Sequence, residues 1–401
     1  VAETINNKTA LVLSGGGIKA SAFHLGVCIA LKEKGYTFVG GDRFKTRFGF
    51  APQNEKQFRM YIGSSAGAFV SSLLANGYSP ESIINAFNKG TGYSKIITDN
   101  KSLQALPQIK YRNLFRPNTW GVLTSLPQVV KSERPAFGSL EAFLKNNLKL
   151  NGFFTTQALE EYLKYQALEI DEFHDLGVEL YIIATQLNHT RKAIFGHFSE
   201  SSKTRQSKYI NYANISQAVA ASVALPPFFA PKKIKRPSDG KEISYFDGEI
   251  RDTLSSHLAE DFGATHVVAS YSVHPYHYTS KIGSLDDFGL PVIINQALYQ
   301  VIQQKIEKAI YNKKQLKVLH DSILKQISLI PLPANELKEL QYKITSIFKA
   351  EAGYRPETKW TYIHPGPEDD EMFFADHFSL NNKTLERIVG IGYRSAILST
   401  I

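Results

Sequence analysis

The pentapeptide Gly63-Ser64-Ser65-Ala66-Gly67 stands between a short apolar run, Met60-Tyr61-Ile62, and a helical pattern over residues 66–75. Glycines at both ends of a G-x-S-x-G permit the sharp strand-to-helix turn that exposes a serine hydroxyl, so Ser65 is the candidate nucleophile. The plainer reading is a helix start with Ser64 or Ser65 as N-cap. Upstream, Gly15-Gly16-Gly17-Ile18-Lys19-Ala20 follows a strand pattern at 9–14 and opens a helix at about 20–34 with Ala20, Phe23, Val27, Cys28 and Leu31 as its apolar stripe. Backbone N–H groups and the helix dipole make such a turn an anion cradle. Its letters also fit the G-x-G-x-x-A dinucleotide fingerprint, with Glu33 or Asp42 as the acid about twenty residues on, so phosphate, dinucleotide and oxyanion are equal candidates for it. A nucleophile at one helix N-terminus and N–H donors at a neighbouring one are two parts that acyl transfer needs.

The third part is a base. Among 11 histidines, His257, His364 and His377 are candidates. An α/β-hydrolase, however, sets its nucleophile after several strands, and one clear strand and one helix precede Met60 here. A carboxylate is the alternative. Tyr245-Phe246-Asp247-Gly248 places Asp247 directly after a short apolar run, where catalytic groups of α/β sheets gather, although Asp-Gly is also a common turn. His24 falls on the apolar stripe of the first helix and reads as a packed structural histidine.

These groups need a scaffold. Strand patterns at 9–14, 60–62, 178–185, 243–246 and 266–270 alternate with helical ones at 20–34, 66–75, 139–148, 156–168 and 214–224, the last ended by Pro226-Pro227. That alternation predicts a mainly parallel α/β sheet covered on both faces. Residues 40–59 read as a polar inserted loop or hairpin, and about 90–150 as a cap over a cleft. About 291–401 form a helical C-terminal part packed on the same single domain, 1–401, closed by a helix at 382–398. With 43% hydrophobic residues the chain can bury a large core, which excludes a disordered or collagen-like protein.

In order along the chain, Leu13-Ser14-Gly15-Gly16-Gly17-Ile18-Lys19, Ala22-Phe23-His24-Leu25-Gly26-Val27, Gly63-Ser64-Ser65-Ala66-Gly67 and Asp247-Gly248 resemble the signature of patatin-like phospholipases. Asn151-Gly152-Phe153-Phe154, Ala184-Thr185-Gln186-Leu187-Asn188 and the stretch 221–231 fit the same pattern, so the resemblance spans about 9–397 and outweighs the dinucleotide reading. It implies a three-layer α/β/α fold with a mainly parallel central sheet and a helical cap, and a Ser–Asp dyad without catalytic histidine. In that scheme Ser65 attacks an ester carbonyl, Asp247 accepts its proton, and water hydrolyses the acyl-enzyme. The resemblance further implies an oxyanion hole from the N–H groups of Gly16, Gly17 and Ile18, with Gly15 shaping the turn and Lys19 where the family has Arg or Lys. Two residues depart from the pattern: Glu249, where members commonly have a second Gly or Ala, and Ala20, where glycine is frequent. A Glu249 facing the cleft would raise a carboxyl pKa by repulsion; one facing outward is a surface charge.

The activity expected from this resemblance is that of a lipid acyl hydrolase, phospholipase A or lysophospholipase, with no metal and no organic cofactor. The alternatives are a histidine-assisted serine esterase and a catalytically idle protein that holds membranes or anions. Lys and Arg outnumber Asp and Glu by 46 to 37, a net charge of +9, which favours an anionic partner. Lys232, Lys233, Lys235, Arg236 and Lys241 crowd together just before Asp247; with Lys19 they are candidate anion or headgroup contacts, a solvated loop being the plain alternative. The expected partners are an anionic phospholipid surface and, as in some relatives, a protein or small-molecule activator, with no nucleic acid. Trp120 and residues 121–130 are candidates for insertion into the lipid interface, whereas Lys305, Lys308, Lys313, Lys314 and Lys317 read as a solvated helix face. No run of 18 apolar residues spans a bilayer, so membrane contact is expected to be peripheral. A single cysteine, Cys28, fits a reducing compartment, which makes a cytoplasmic or peripheral-membrane place the expectation. A secreted effector is the other, because the chain opens at Val1 without a signal-type core and a leader would be invisible.

Overall fold

The computed structural model describes residues 7–43, 55–87, 105–119, 151–204, 206–251, 253–255 and 257–399. Its strands are β1 (Thr9–Leu13), β2 (Thr37–Phe38), β3 (Gln57–Ser64), β4 (Arg116–Pro117), β5 (Phe154–Thr155), β6 (Glu179–Gln186), β7 (Lys192–Phe195), β8 (Ser207–Ile210), β9 (Lys232–Lys235), β10 (Glu242–Asp247), β11 (His266–Ser270) and β12 (Lys359–Ile363). The helices are α1 (Gly17–Glu33), α2 (Ala66–Ala75), α3 (Pro80–Phe87), α4 (Tyr111–Leu114), α5 (Gln157–Tyr162), α6 (Ile215–Ser222), α7 (His257–Asp261), α8 (Leu290–Ile327), α9 (Ala334–Ala352), α10 (Glu371–Phe374) and α11 (Asn382–Leu398).

The main sheet runs β12-β11-β1-β3-β6-β10-β9, parallel from β12 to β6 and antiparallel from β6 to β9. Alternate residues feed two cores. Leu11, Leu13, Tyr61 and Ile182 point into the layer of α1, α2, α6 and α11, while Ala10, Val12, Met60 and Ile183 meet α7 and the first half of α8. This is the α/β/α sandwich, with β1 and β11 apolar on both faces as central parallel strands must be.

Helix α1 is buried along almost its whole length because the sheet lies on one side and α11 on the other. The two helices cross at backbone distance: a Cβ on Gly26 would meet the Val389 carbonyl, and one on Gly392 the Phe23 carbonyl. Close packing of this kind fixes the height of the α1 N-terminus above the sheet.

The structure corrects several expectations. The strand before Ser65 starts at Gln57, and β2 pairs with it in parallel, so the inserted segment is shorter than 40–59. The basic stretch at 232–241 belongs to a β9–β10 hairpin, whose connecting turn is exposed. The C-terminal part is not wholly helical, because Lys359–Ile363 adds the edge strand β12 beside β11. Lys313 is no solvated lysine: it donates to Glu260 at 2.8 Å and lies 3.0 Å above the Trp360 ring. Most of the cap expected at 90–150, its helix at 139–148 and Trp120 with 121–130 lie outside the described residues; within it, 105–119 carry α4 and β4.

Candidate active site

Strand register brings the chemical groups to one row. Leu13 pairs with Gly63, Ser64 with Ile183, and Asp247 with Ala184, so Gly15, two past Leu13, Ser65, one past Ser64, and Asp247 stand at the same level. β10 arrives antiparallel, which is how a residue late in the chain reaches the ends of three parallel strands.

Ser65 sits between β3 and α2 with φ +52° and ψ −118°, a conformation that side chains rarely adopt. The surroundings hold it there. A Cβ on Gly67 would meet the Leu13 carbonyl, and Gly67 N–H donates to the Ser14 carbonyl at 3.0 Å, so α2 starts hard against the end of β1. The Ser65 N–H donates to Ser222 Oγ at 2.8 Å, and Ser222 in turn donates to the Ile183 carbonyl at 2.5 Å. Strain over-determined by neighbours is the mark of a serine presented for chemistry.

Asp247 is 1% exposed. Burial pushes its carboxyl up to about 6, while the nearby Ser65 side chain and a hydrogen bond from the Glu249 N–H, 2.9 Å from Oδ1, favour the charged form and keep the rise moderate. Its own N–H donates to the Ala224 carbonyl at 3.1 Å, and its carbonyl accepts from Thr185 Oγ1 at 3.0 Å. Both side chains stand at neighbouring ends of the sheet in a site shielded from water, Ser65 7% and Asp247 1% exposed.

The glycine loop lies against both. A Cβ on Gly15 would fall 2.8 Å from Ser65 Cβ. Positive φ at Gly16 (+132°) and Gly17 (+75°) turns the chain into α1. Its four N–H groups are not equivalent. Gly15 donates to Glu249 Oε1 at 2.7 Å, and Ile18 donates to the His377 carbonyl at 2.6 Å. Among the described residues, none accepts from Gly16 or Gly17. Glu249 therefore faces inward, buried, and ties the loop to the turn after Asp247.

Lys19 does not face a headgroup, contrary to expectation. It is 1% exposed, and Nζ donates to the carbonyls of Met372 at 2.8 Å and Ala375 at 3.0 Å, capping α10. Burial draws its pKa down to about 7 despite the nearby Asp376. The basic hairpin is largely matched with acids: Lys232 bonds Glu160, Arg236 bonds Asp239 at 2.6 Å, and Lys233 lies 3.3 Å from Glu242. Lys235 is exposed.

No histidine is bonded to Ser65 among the described residues. His257 contacts Lys192, His364 stacks on Tyr271, and His377 Nε2 lies 2.7 Å from the Tyr299 hydroxyl, its pKa driven down to about 3 by burial and by Lys19. His24 is packed and structural: its ring bonds Ser270 Oγ at 2.8 Å and the Ser14 carbonyl at 2.9 Å, and burial holds it neutral with a pKa of about 4. Because that carbonyl also receives Gly67 N–H, His24 steadies the junction of glycine loop and nucleophile turn. Among the described residues no three His, Cys, Asp or Glu side chains converge to hold a metal. Thr185 and Ser222 lie in segments that fit the family pattern, but their contacts to Asp247 and Ser65 are set by the fold, and the His377 carbonyl has no signature in the sequence because it enters through a contact made far along the chain.

A parallel-centred α/β/α sandwich with a strained serine level with a buried carboxylate is a framework suited to a hydrolase. The chain matches the model of the patatin-like phospholipase family over residues 11–259 and belongs to that family, which makes it a lipid acyl hydrolase. No curated protein matches it.

Proposed function

We propose that the protein is a phospholipase A or lysophospholipase that works through Ser65 and Asp247 at a membrane surface. The observation that carries this is the strained Ser65 at the turn after β3, level with a buried Asp247 whose carboxyl is pushed up to about 6. At neutral pH that carboxylate is mostly ionised and lies where it can take the hydroxyl proton. Ser65 Oγ adds to the ester carbonyl as its proton passes to Asp247. The oxyanion is met by the N–H groups of Gly16 and Gly17, and of Ile18 once the His377 carbonyl leaves it. Collapse expels the alcohol, which takes the proton from Asp247; water then adds to the acyl-enzyme by the reverse transfers. One oxyanion donor is worth about 10²–10³ in rate.

The net charge of +9 and the exposed Lys235 support an anionic membrane as the working surface. The test measures free fatty acid released from mixed anionic and zwitterionic vesicles, with and without cell lysate to supply an activator, together with fluorophosphonate labelling. Wild type is expected to release fatty acid and to be labelled at Ser65, and Ser65→Ala and Asp247→Asn to be folded and silent. Full activity in either variant overturns the dyad.

A further inference from the structure

Between α10 and α11 the chain crosses the site as a strap, residues 375–381. Both ends are fixed: Lys19 caps α10, and the Asn381 side chain accepts the Thr384 N–H at 3.2 Å to start α11. In the middle, the His377 carbonyl lies on the N-terminus of α1, 2.6 Å from Ile18 N. It is so close to Gly17 that a Cβ there would lie 2.5 Å from the oxygen. The next side chain, Phe378, enters an aromatic cluster. Its ring packs edge-on against Phe228 at 4.9 Å and Phe115 at 5.6 Å between centroids, with Phe229 at 6.2 Å. Phe154 closes the cluster, 5.4 Å from Phe115.

The cluster adjoins the reacting groups. Ser222 bonds the Ser65 N–H and Ala224 bonds the Asp247 N–H, and Phe228 and Phe229 follow in the same segment. A carbonyl oxygen on the glycine loop, followed by an apolar group in a ring-lined recess, has the layout of a bound acyl ester. The His377–Phe378 amide stands where the ester carbonyl belongs and the Phe378 ring where the chain belongs. Phe228, 40% exposed, and Phe153, 52% exposed, leave an apolar rim at its edge.

We propose that Phe115, Phe154, Phe228 and Phe229 form the subsite for a fatty-acyl chain, and that the strap is a substrate-mimicking plug that must lift before a lipid enters. This rests on Ser65 being the nucleophile. Lifting gives up the Ile18 N–H to His377 carbonyl bond, the His377–Tyr299 and Leu380–Tyr111 hydrogen bonds and the Phe378 ring contacts, and it frees the Ile18 N–H for the oxyanion at the moment the chain subsite empties. Plug removal and completion of the donor set are therefore one event.

The test compares wild type, Phe378→Ala, Phe228→Trp, and a Phe228→Cys/Phe378→Cys pair joined by a short thiol-to-thiol linker. Cys28 is fully buried and does not compete for the linker. Readouts are the rate of fluorophosphonate labelling at Ser65 and turnover of four-carbon against twelve-carbon nitrophenyl esters. Phe378→Ala is expected to label about tenfold faster, and the linked pair about tenfold slower than the same protein unlinked, which controls for folding. Phe228→Trp is expected to lose twelve-carbon turnover selectively. Equal labelling of the linked and unlinked pair overturns the plug while leaving the nucleophile standing. An unchanged chain-length ratio in Phe228→Trp overturns the subsite. No labelling of Ser65 in any variant overturns the nucleophile and this proposal with it.

Discussion

Asp247 is the residue on which pH dependence turns. Its folded pKa of about 6 stands above the value of about 3.9 for a free aspartate, so between those limits the folded chain keeps a proton that the unfolded chain has lost. Stability from this group is therefore fully present below about pH 4 and is lost as pH rises through 6. Asp247→Asn, which keeps an acceptor for the Glu249 N–H and removes the buried charge, is expected to raise stability by about 1–3 kcal/mol at pH 8 and by little at pH 4. Urea unfolding at the two pH values checks this; an equal gain at both would mean that the carboxylate is not the source. With Asp247 as the proposed base, kcat/KM should fall tenfold per pH unit below about 6.

The elements hold the site through backbone-to-backbone contacts rather than large side chains. Gly26 and Gly392 let α1 and α11 touch, and α1 carries the glycine loop at its N-terminus. Gly390, two residues away on α11, faces open space. Gly392→Ala must push the helices apart and should cost about 1–3 kcal/mol. Gly390→Ala meets nothing and should gain about 0.5–1 kcal/mol from helix propensity. Thermal unfolding of the two variants separates them by sign, and a stable Gly392→Ala would show that the crossing is not tight.

The molecule as a whole is basic, yet the hairpin lysines and Arg236 that suggested a lipid contact mostly face acids. On the proposed membrane-surface reading, attraction to an anionic surface then has to come from the summed field more than from one patch. Vesicle binding measured by sedimentation should weaken steadily as salt rises from about 50 to 300 mM, because the screening length falls below about 10 Å above 0.1 M. Lys235→Ala should cost no more than about 1 kcal/mol of binding. Binding indifferent to salt would point instead to apolar insertion. Among the described residues no helix is long and apolar enough to cross a membrane.

What the sequence determined by itself is local. Gly15-Gly16-Gly17, the Gly63–Gly67 turn and the Asp247-Gly248 step were legible because each depends on a few adjacent residues whose backbone freedom dictates the turn, and the apolar strand and helix patterns around them follow from burial at periods of 2 and 3.6. Tertiary structure decided what those residues touch. Lys19 looked like a headgroup contact by its place beside the glycine loop, but its partner carbonyls lie 353 and 356 residues away. Glu249 had two readings until the fold set its carboxylate on the Gly15 N–H, 234 residues distant. β10 reads like any short apolar strand, and its antiparallel entry, which sets Asp247 beside Ser65, comes from pairing with β6. The strap carries no motif because its working atom is a backbone carbonyl, identical in every residue, and only packing of the C-terminal part onto α1 gives it a place at the site.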